Sequence, residues 1–300
     1  MPTELLRHTR QCLAMMLEVM ARAYRPTPDV PLRAWLEANY RLPDEGADLP
    51  GPYRPEYVPA LWGIMHALDV SRMVVTMKAA QIGWTYLLVG YLCKRIKVAP
   101  SAMIGLFPKD SAAREFSDEK FVPSVRATPA MAGTVDVSGS RKAGQRATFK
   151  SFPGGFMKLV GSNSVSNVKS TPAPLVLVEE PDDTNDNVGE QGDAIRLARE
   201  RLKRWRRGQL VLGGTPSTKG LSRVEEFLDL SNKRVLPIRC HSCGETHVLA
   251  WRTCRGCRRM RARRRTWSMA ARCPRRRCTC ARCAVRRGMT GNDRRTCDRR

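Results

Sequence analysis

An α/β domain built on a largely parallel sheet is the fold class this sequence predicts, and three observations predict it. Beyond residue 70, short apolar runs of strand length alternate with longer stretches of helical spacing, the order that a parallel sheet with crossover helices demands. One run, Leu175–Val178, is apolar at every position, as a strand covered on both faces is. Finally, three of the runs end in turns rich in glycine, hydroxyl or carboxylate residues, and the carboxyl ends of strands are where open α/β sheets bind ligands.

The elements follow in order. Residues 4–23 carry apolar positions at helical spacing with no proline, which predicts an amphipathic helix that packs or makes oligomer contacts. Pro26, Pro28, Pro31, Pro43, Pro50, Pro52, Pro55 and Pro59 then mark a linker-like stretch before the main domain. Met73–Met77 is the first predicted strand and Thr85–Lys97 the helix after it. Ala102–Phe107 is a second strand, followed by helical spacing over Ser111–Phe121. Ala147–Phe152 and Phe156–Val160 flank Pro153, Gly154 and Gly155 as a hairpin. Leu175–Val178 is a buried strand, Ala194–Trp205 a strongly basic helix, and Gln209–Leu212 another strand.

Composition narrows the function classes. Hydrophobic residues at 42% and charged residues at 27% are ordinary globular usage, which excludes a wholly disordered chain. The formal charge of +25 is unevenly spread: residues 251–300 hold 19 Arg, no Lys and two acids, Asp293 and Asp298. That tail also holds seven of the eleven cysteines. No secretory leader opens the chain and no apolar run approaches the ~20 residues that cross a bilayer. The sequence therefore predicts a cytoplasmic protein without membrane contact, in which Cys-x-x-Cys pairs suggest metal rather than disulfides.

Three motifs carry chemistry. Lys78-Ala-Ala-Gln81-Ile-Gly83-Trp84-Thr85 lies between the first strand and its helix. It offers a glycine, a hydroxyl, a lysine and a helix start, the parts of a phosphate-binding loop. Trp84 stands where the usual pattern has lysine, and an ordinary β–α turn is the alternative. In the second motif, Leu175–Val178 delivers Glu179, Glu180, Asp182 and Asp183 to a strand end. One carboxylate can hold Mg²⁺ while the next polarises a water; an exposed acidic turn is the alternative. The third, Leu210-Val-Leu-Gly213-Gly214-Thr215-Pro216-Ser217, is a strand followed by a Gly-Gly turn and small hydroxyl residues.

The order and spacing of these motifs resemble the large subunit of lambda-type tailed-phage DNA-packaging terminases. Leu106-Phe-Pro108 through Phe116, Gly161-Ser-Asn163, Gly189-Glu-Gln-Gly-Asp193 and Ile238-Arg-Cys240-His-Ser-Cys243-Gly244 fit further landmarks of that family. The resemblance spans about Pro50 to Leu249. It implies a parallel-sheet P-loop NTPase core, terminase- or helicase-like, over residues 50–235, using ATP and Mg²⁺. It makes Lys78 the phosphate lysine, puts Thr85 and Glu179 on Mg²⁺, makes Glu180 the catalytic base and Thr215 the coupling residue. Gln81, Gly83 and Trp84 would line the nucleotide, with Tyr53 and Arg54 where the family contacts adenine. Position 179 departs from the family, which usually carries Asp there.

The same resemblance implies an ATP-driven motor that moves double-stranded DNA into a procapsid, as a homo-oligomeric ring on the portal recruited by a small terminase subunit. Phosphate contacts are expected from Arg196, Arg199, Arg201, Lys203, Arg204, Arg206 and Arg207; a solvated helix face is the alternative. Residues 1–49 are read as a helical and linker region. Residues 236–257 are read as a zinc-ribbon fragment, with Cys240, Cys243, Cys254 and Cys257 as Zn²⁺ ligands. Residues 258–300 are read as an Arg/Cys-rich tail. Because the chain beyond Trp251 has no Leu, Ile, Phe or Tyr, the tail is expected to be disordered, the product of an out-of-frame reading; an Arg/Cys-rich nucleic-acid-binding tail is the alternative. The nuclease domain of such terminases is then missing and the protein truncated. A helicase-like translocase outside packaging and a non-catalytic, zinc-stabilised nucleic-acid-binding fragment are the alternative functions.

Overall fold

The computed structural model describes residues 12–20, 30–135, 137, 145–163, 171–239 and 246–248. Residues up to 232 form one compact unit, and those from 233 onward belong to a second.

In the first unit β1 (Arg41–Leu42) and β2 (Gly51–Pro52) form a short antiparallel pair, and a separate seven-stranded sheet in the order β3-β9-β8-β4-β7-β6-β5 organises the rest. Its strands are β3 (Met73–Met77), β4 (Ala102–Phe107), β5 (Gln145–Arg146), β6 (Phe149–Phe152), β7 (Gly155–Gly161), β8 (Leu175–Glu179) and β9 (Gln209–Gly214). Neighbours from β3 to β7 are parallel, whereas β5, β6 and β7 pair antiparallel. The antiparallel end is the predicted hairpin around Pro153, extended by a short outer strand.

Alternation along the central strands sends side chains into two cores. Leu175 and Leu177 join one cluster while Val176 and Val178 join the other. Helices α1 (Leu32–Asn39), α2 (Trp62–Val70) and α3 (Trp84–Val98) supply the first cluster. Helices α6 (Ala194–Arg199) and α7 (Arg223–Asp229) supply the second. Both faces are thus covered, which explains why β8 reads as an unbroken apolar run.

Three local expectations are revised. Leu32–Asn39, inside the stretch read as a linker, is a helix whose Leu32, Trp35 and Leu36 are buried at i, i+3 and i+4. It packs so closely on α3 that a Cβ at Gly90 would stand 2.5 Å from Leu36 Cδ2. Asp69 fastens the three helices by accepting from the Leu32 N–H and from the Lys94 ammonium, each at 2.7 Å. Second, the helix predicted over Ser111–Phe121 is α4 (Asp110–Glu115) followed by a widened π turn over Phe116–Phe121 and then α5 (Val122–Ala127). Pro123, with no N–H and a ring that crowds the carbonyl four residues back, accounts for the widening.

Third, the basic helix stops at Arg199, and tight turns lead through Trp205 to Gly208. Lys203–Arg207 offers no apolar stripe to bury. In the N-terminal region, residues 12–20 are helical, and their large apolar side chains are exposed. Among the described residues no helix is long and apolar enough to cross a membrane.

In the second unit β10 (Pro237–Arg239) pairs antiparallel with β11 (Thr246–Val248), Ile238 opposite His247. Cys240, Cys243, Cys254, Cys257 and the whole tail lie outside the described residues.

Candidate functional site

The carboxyl ends of β3, β9 and β8, three adjacent parallel strands, bring the three motifs together. The Lys78 N–H donates to the Gly214 carbonyl at 3.1 Å and the Glu180 N–H to the Gly213 carbonyl at 3.0 Å. The sheet's own hydrogen bonding therefore continues one residue beyond β3 and β8 and sets the two motifs against β9.

Glycine at 213 and 214 serves close approach. Both are the last residues of β9 rather than the turn the sequence suggested. A Cβ at Gly213 would lie 2.1 Å from Trp84 Cζ2, and one at Gly214 would lie 2.6 Å from Pro181 Cδ. Any larger residue would drive the Trp84 ring or the Glu180–Pro181 turn out of place.

Two carboxylates are held by different donors. Lys78 Nζ donates to Glu180 Oε1 at 2.7 Å, with the lysine side chain 7% and the glutamate 32% exposed. The Thr215 N–H donates to Glu180 Oε2 at 2.8 Å. The Trp84 indole N–H donates to Glu179 Oε2 at 2.8 Å, while Thr85 Oγ1 stands 3.5 Å from Glu179 Oε1. Burial pushes the Glu179 carboxyl up to about 7, against the lowering effect of the Trp84 donor and the Lys78 charge. Glu180 itself sits in the left-handed region at φ +48°. Residues other than glycine or asparagine held there cost of order 1–3 kcal/mol and cluster where function fixes geometry.

The phosphate-loop candidate is shaped as its sequence requires. Gly83, at φ +79°, is the N-cap of α3, and no side chain caps that helix. First-turn N–H groups at an uncapped start are suited to an anion. Gln81 is exposed in the loop at φ +59°. Among the described residues no three His, Cys, Asp or Glu gather as a metal-holding cluster. Mg²⁺ commonly takes one or two protein ligands and completes its shell with phosphate and water.

Tyr53 is not part of this group. It is 5% exposed in the core, its ring centroid 5.6 Å from that of Tyr40, and its N–H donates to the Tyr40 carbonyl. Burial pushes its hydroxyl up to about 12. The expectation that Tyr53 meets adenine is therefore not met by its placement: an aromatic flanked by prolines found a core neighbour. Arg54 instead pairs with Glu56 at 3.7 Å.

Asp182 is a member of the acidic motif to which the sequence assigned no separate role. It accepts from the Ser217 N–H and hydroxyl, both at 2.7 Å, from the Val224 N–H at 2.9 Å and from the Ser222 hydroxyl at 3.1 Å. Burial raises its pKa, but these four donors outweigh burial and hold it below the usual carboxylate range. Asp182 thereby ties the acidic turn to the segment after β9 and to the start of α7. Asp182→Ala is expected to cost about 2–3 kcal/mol in stability, read from the denaturant midpoint, with Asp182→Asn recovering part of it. A midpoint equal to the parent's would show that Ser217 and Val224 find water instead.

The basic residues are sorted by their neighbours. Arg196 pairs with Glu226 at 2.9 Å and Lys203 pairs with Glu200, while Arg201 is half-buried. Arg199, Arg204, Arg206 and Arg207 are exposed, the last three flanking a Trp205 that is itself 43% exposed. They lie before β9, at the end of that strand away from Gly214.

The chain is similar to several known proteins. The chain is 27% identical over 219 residues to the terminase large subunit of Enterobacteria phage P21, covering 72% of this chain and 34% of that protein. It is 25% identical over 230 residues to the terminase large subunit of Escherichia phage lambda, covering 75% and 35%. The chain thus spans about a third of the length of these curated relatives. In fold it is similar to the crystal structure of the HK97 bacteriophage large terminase, with a TM-score of 0.53 at 14% identity, over 68% of this chain and 41% of that one. The family described as "Phage terminase large subunit gpA, ATPase domain" matches residues 47–290, and so includes much of the Arg- and Cys-rich tail. That match takes in well over half of the sequence, and the chain belongs to this family of phage terminase large-subunit ATPase domains.

Proposed function

We propose that this chain is the ATP-hydrolysing motor of a phage terminase large subunit, moving double-stranded DNA into a procapsid. The observation that supports it most is the pairing of Lys78 with Glu180 and Trp84 with Glu179 at the ends of three adjacent strands. Lys78 and the uncapped start of α3 would bind the phosphates, and Thr85 and Glu179 would hold Mg²⁺. When bound, the metal neutralises charge on the phosphate oxygens. Glu180 accepts the proton of the attacking water, and Thr215, whose N–H already reaches Glu180, reports the state of the site to the segment after β9.

Arg199, Arg204, Arg206 and Arg207 would contact DNA phosphates without reading sequence. β9 joins the two regions: its six residues span roughly 20 Å at the usual strand rise. In the working assembly the chain acts in the host cytoplasm as a ring on the portal, with a small terminase subunit. Cys240, Cys243, Cys254 and Cys257 would bind one tetrahedral Zn²⁺.

Phosphate release by the purified chain with Mg²⁺ and ATP is the test. Turnover that requires Mg²⁺ and rises with duplex DNA is expected, and its absence would reduce the chain to a binding fragment. DNA binding should weaken with salt, and replacing Arg204, Arg206 and Arg207 by Ala should flatten the slope of log affinity against log salt by roughly 3. An unchanged slope would move the DNA surface elsewhere. Packaging by a reconstituted portal and small subunit separates terminase action from helicase-like translocation.

A further inference from the structure

We infer that Trp84 is a positioning residue for Glu179: its indole N–H fixes one carboxylate oxygen so that the other is presented beside the Thr85 hydroxyl. The inference rests on reading this site as the Mg·ATP site.

The ring has little freedom. Trp84 is the first residue of α3, is 2% exposed, and lies over Gly213 so closely that a Cβ there would meet it at 2.1 Å. From that fixed position Nε1 donates to Glu179 Oε2 at 2.8 Å, and Oε1 is left 3.5 Å from Thr85 Oγ1. A carboxylate with one oxygen held by a rigid donor cannot rotate without losing that bond, so its other oxygen keeps a fixed position for a cation. The donor's chemistry also matters. The indole is neutral, so it orients Glu179 without neutralising it, whereas the cationic donor, Lys78, is on the neighbouring Glu180. A lysine at position 84 would have put a second positive charge against the oxygen set that must attract Mg²⁺.

The pairing also suits the length of the side chain at 179. Glutamate is one methylene longer than aspartate, and its added reach ends on the indole. Trp84 and Glu179 should therefore behave as one unit: altering either removes the orientation, and altering both should cost little more than altering one.

The test uses the whole chain and a non-hydrolysable ATP analogue. Binding is measured by calorimetry across a range of Mg²⁺, and ATP turnover is followed in parallel. W84F keeps an aromatic ring over Gly213 and removes the N–H. It should raise the half-saturating Mg²⁺ about tenfold, with a clearly smaller loss of analogue binding when Mg²⁺ is absent and a parent-like Tm. E179D should raise it by a similar factor, and W84F/E179D should be no worse than the larger single effect. A merely structural tryptophan would lower Tm and weaken binding equally with and without Mg²⁺. Parent-like Mg²⁺ dependence in W84F, or additive losses in the double variant, overturns the inference. Should W84F fail to fold, parent-like Mg²⁺ dependence in E179D overturns it and a tenfold loss there supports it. If the unsubstituted chain binds no analogue at any Mg²⁺, the reading of the site fails as well. If it binds and W84F matches it, only the role of Trp84 fails.

Discussion

Glu180→Gln is expected to retain Mg·ATP binding and to lose turnover by a factor on the order of 10²–10⁴. The amide preserves the shape of the side chain and can still accept from the Thr215 N–H, which now reaches Glu180 Oε2 at 2.8 Å. What disappears is the proton acceptor that Lys78 and Thr215 hold in place together. The loss of charge also releases Lys78 from an ion pair at 2.7 Å, so nucleotide affinity should hold or tighten. Rapid-quench turnover together with calorimetric nucleotide binding separates the two effects. Parent-like turnover would remove Glu180 as the base, and a parallel collapse of binding would make it a ligand rather than a proton acceptor.

The pairing behind that expectation was only half legible in the sequence. The apolar runs matched the full extents of β3 and β4, Met73–Met77 and Ala102–Phe107; β4 is buried along nearly its whole length, whereas β3 is an edge strand that carries Thr76 and ends on an exposed Met77. The order of lysine loop, paired acids and Gly-Gly segment also pointed to one site. Partnership was hidden: Lys78 and Glu180 are 102 residues apart, and spacing cannot tell which of two adjacent glutamates a lysine meets.

The same limit applies elsewhere. Gly213 and Gly214 resemble a turn in composition, yet they extend β9 because Trp84 and Pro181 press on it from neighbouring elements. Helix α1 was concealed by surrounding prolines, although Leu32, Trp35 and Leu36 already carried a helical period. Tyr53 showed the converse. The family resemblance favoured a ligand contact there, whereas the ring packs against Tyr40 in the core.

Lys78→Ala should cost on the order of 10²–10³ in turnover and, unlike Glu180→Gln, weaken nucleotide binding as well. The lysine side chain is 7% exposed, so its charge acts in a poorly solvated setting where Coulombic interactions are stronger than in water. On the proposed reading it would serve two partners in turn, Glu180, which it meets at 2.7 Å, and then the phosphates of ATP. Truncation therefore loses the phosphate charge and leaves Glu180 Oε1 without its cation. Lys78→Met separates these effects from packing, since it keeps the apolar stem and removes only the ammonium. If charge is the cause, both variants should fail alike while their thermal midpoints differ. The decisive comparison is Lys78→Ala combined with Glu180→Gln. Residues that act as a unit give losses far from additive, so the double variant should turn over ATP no more than about tenfold more slowly than the worse single one. Fully additive losses would mean that the 2.7 Å pair has no part in hydrolysis, and that Lys78 and Glu180 act on ATP independently.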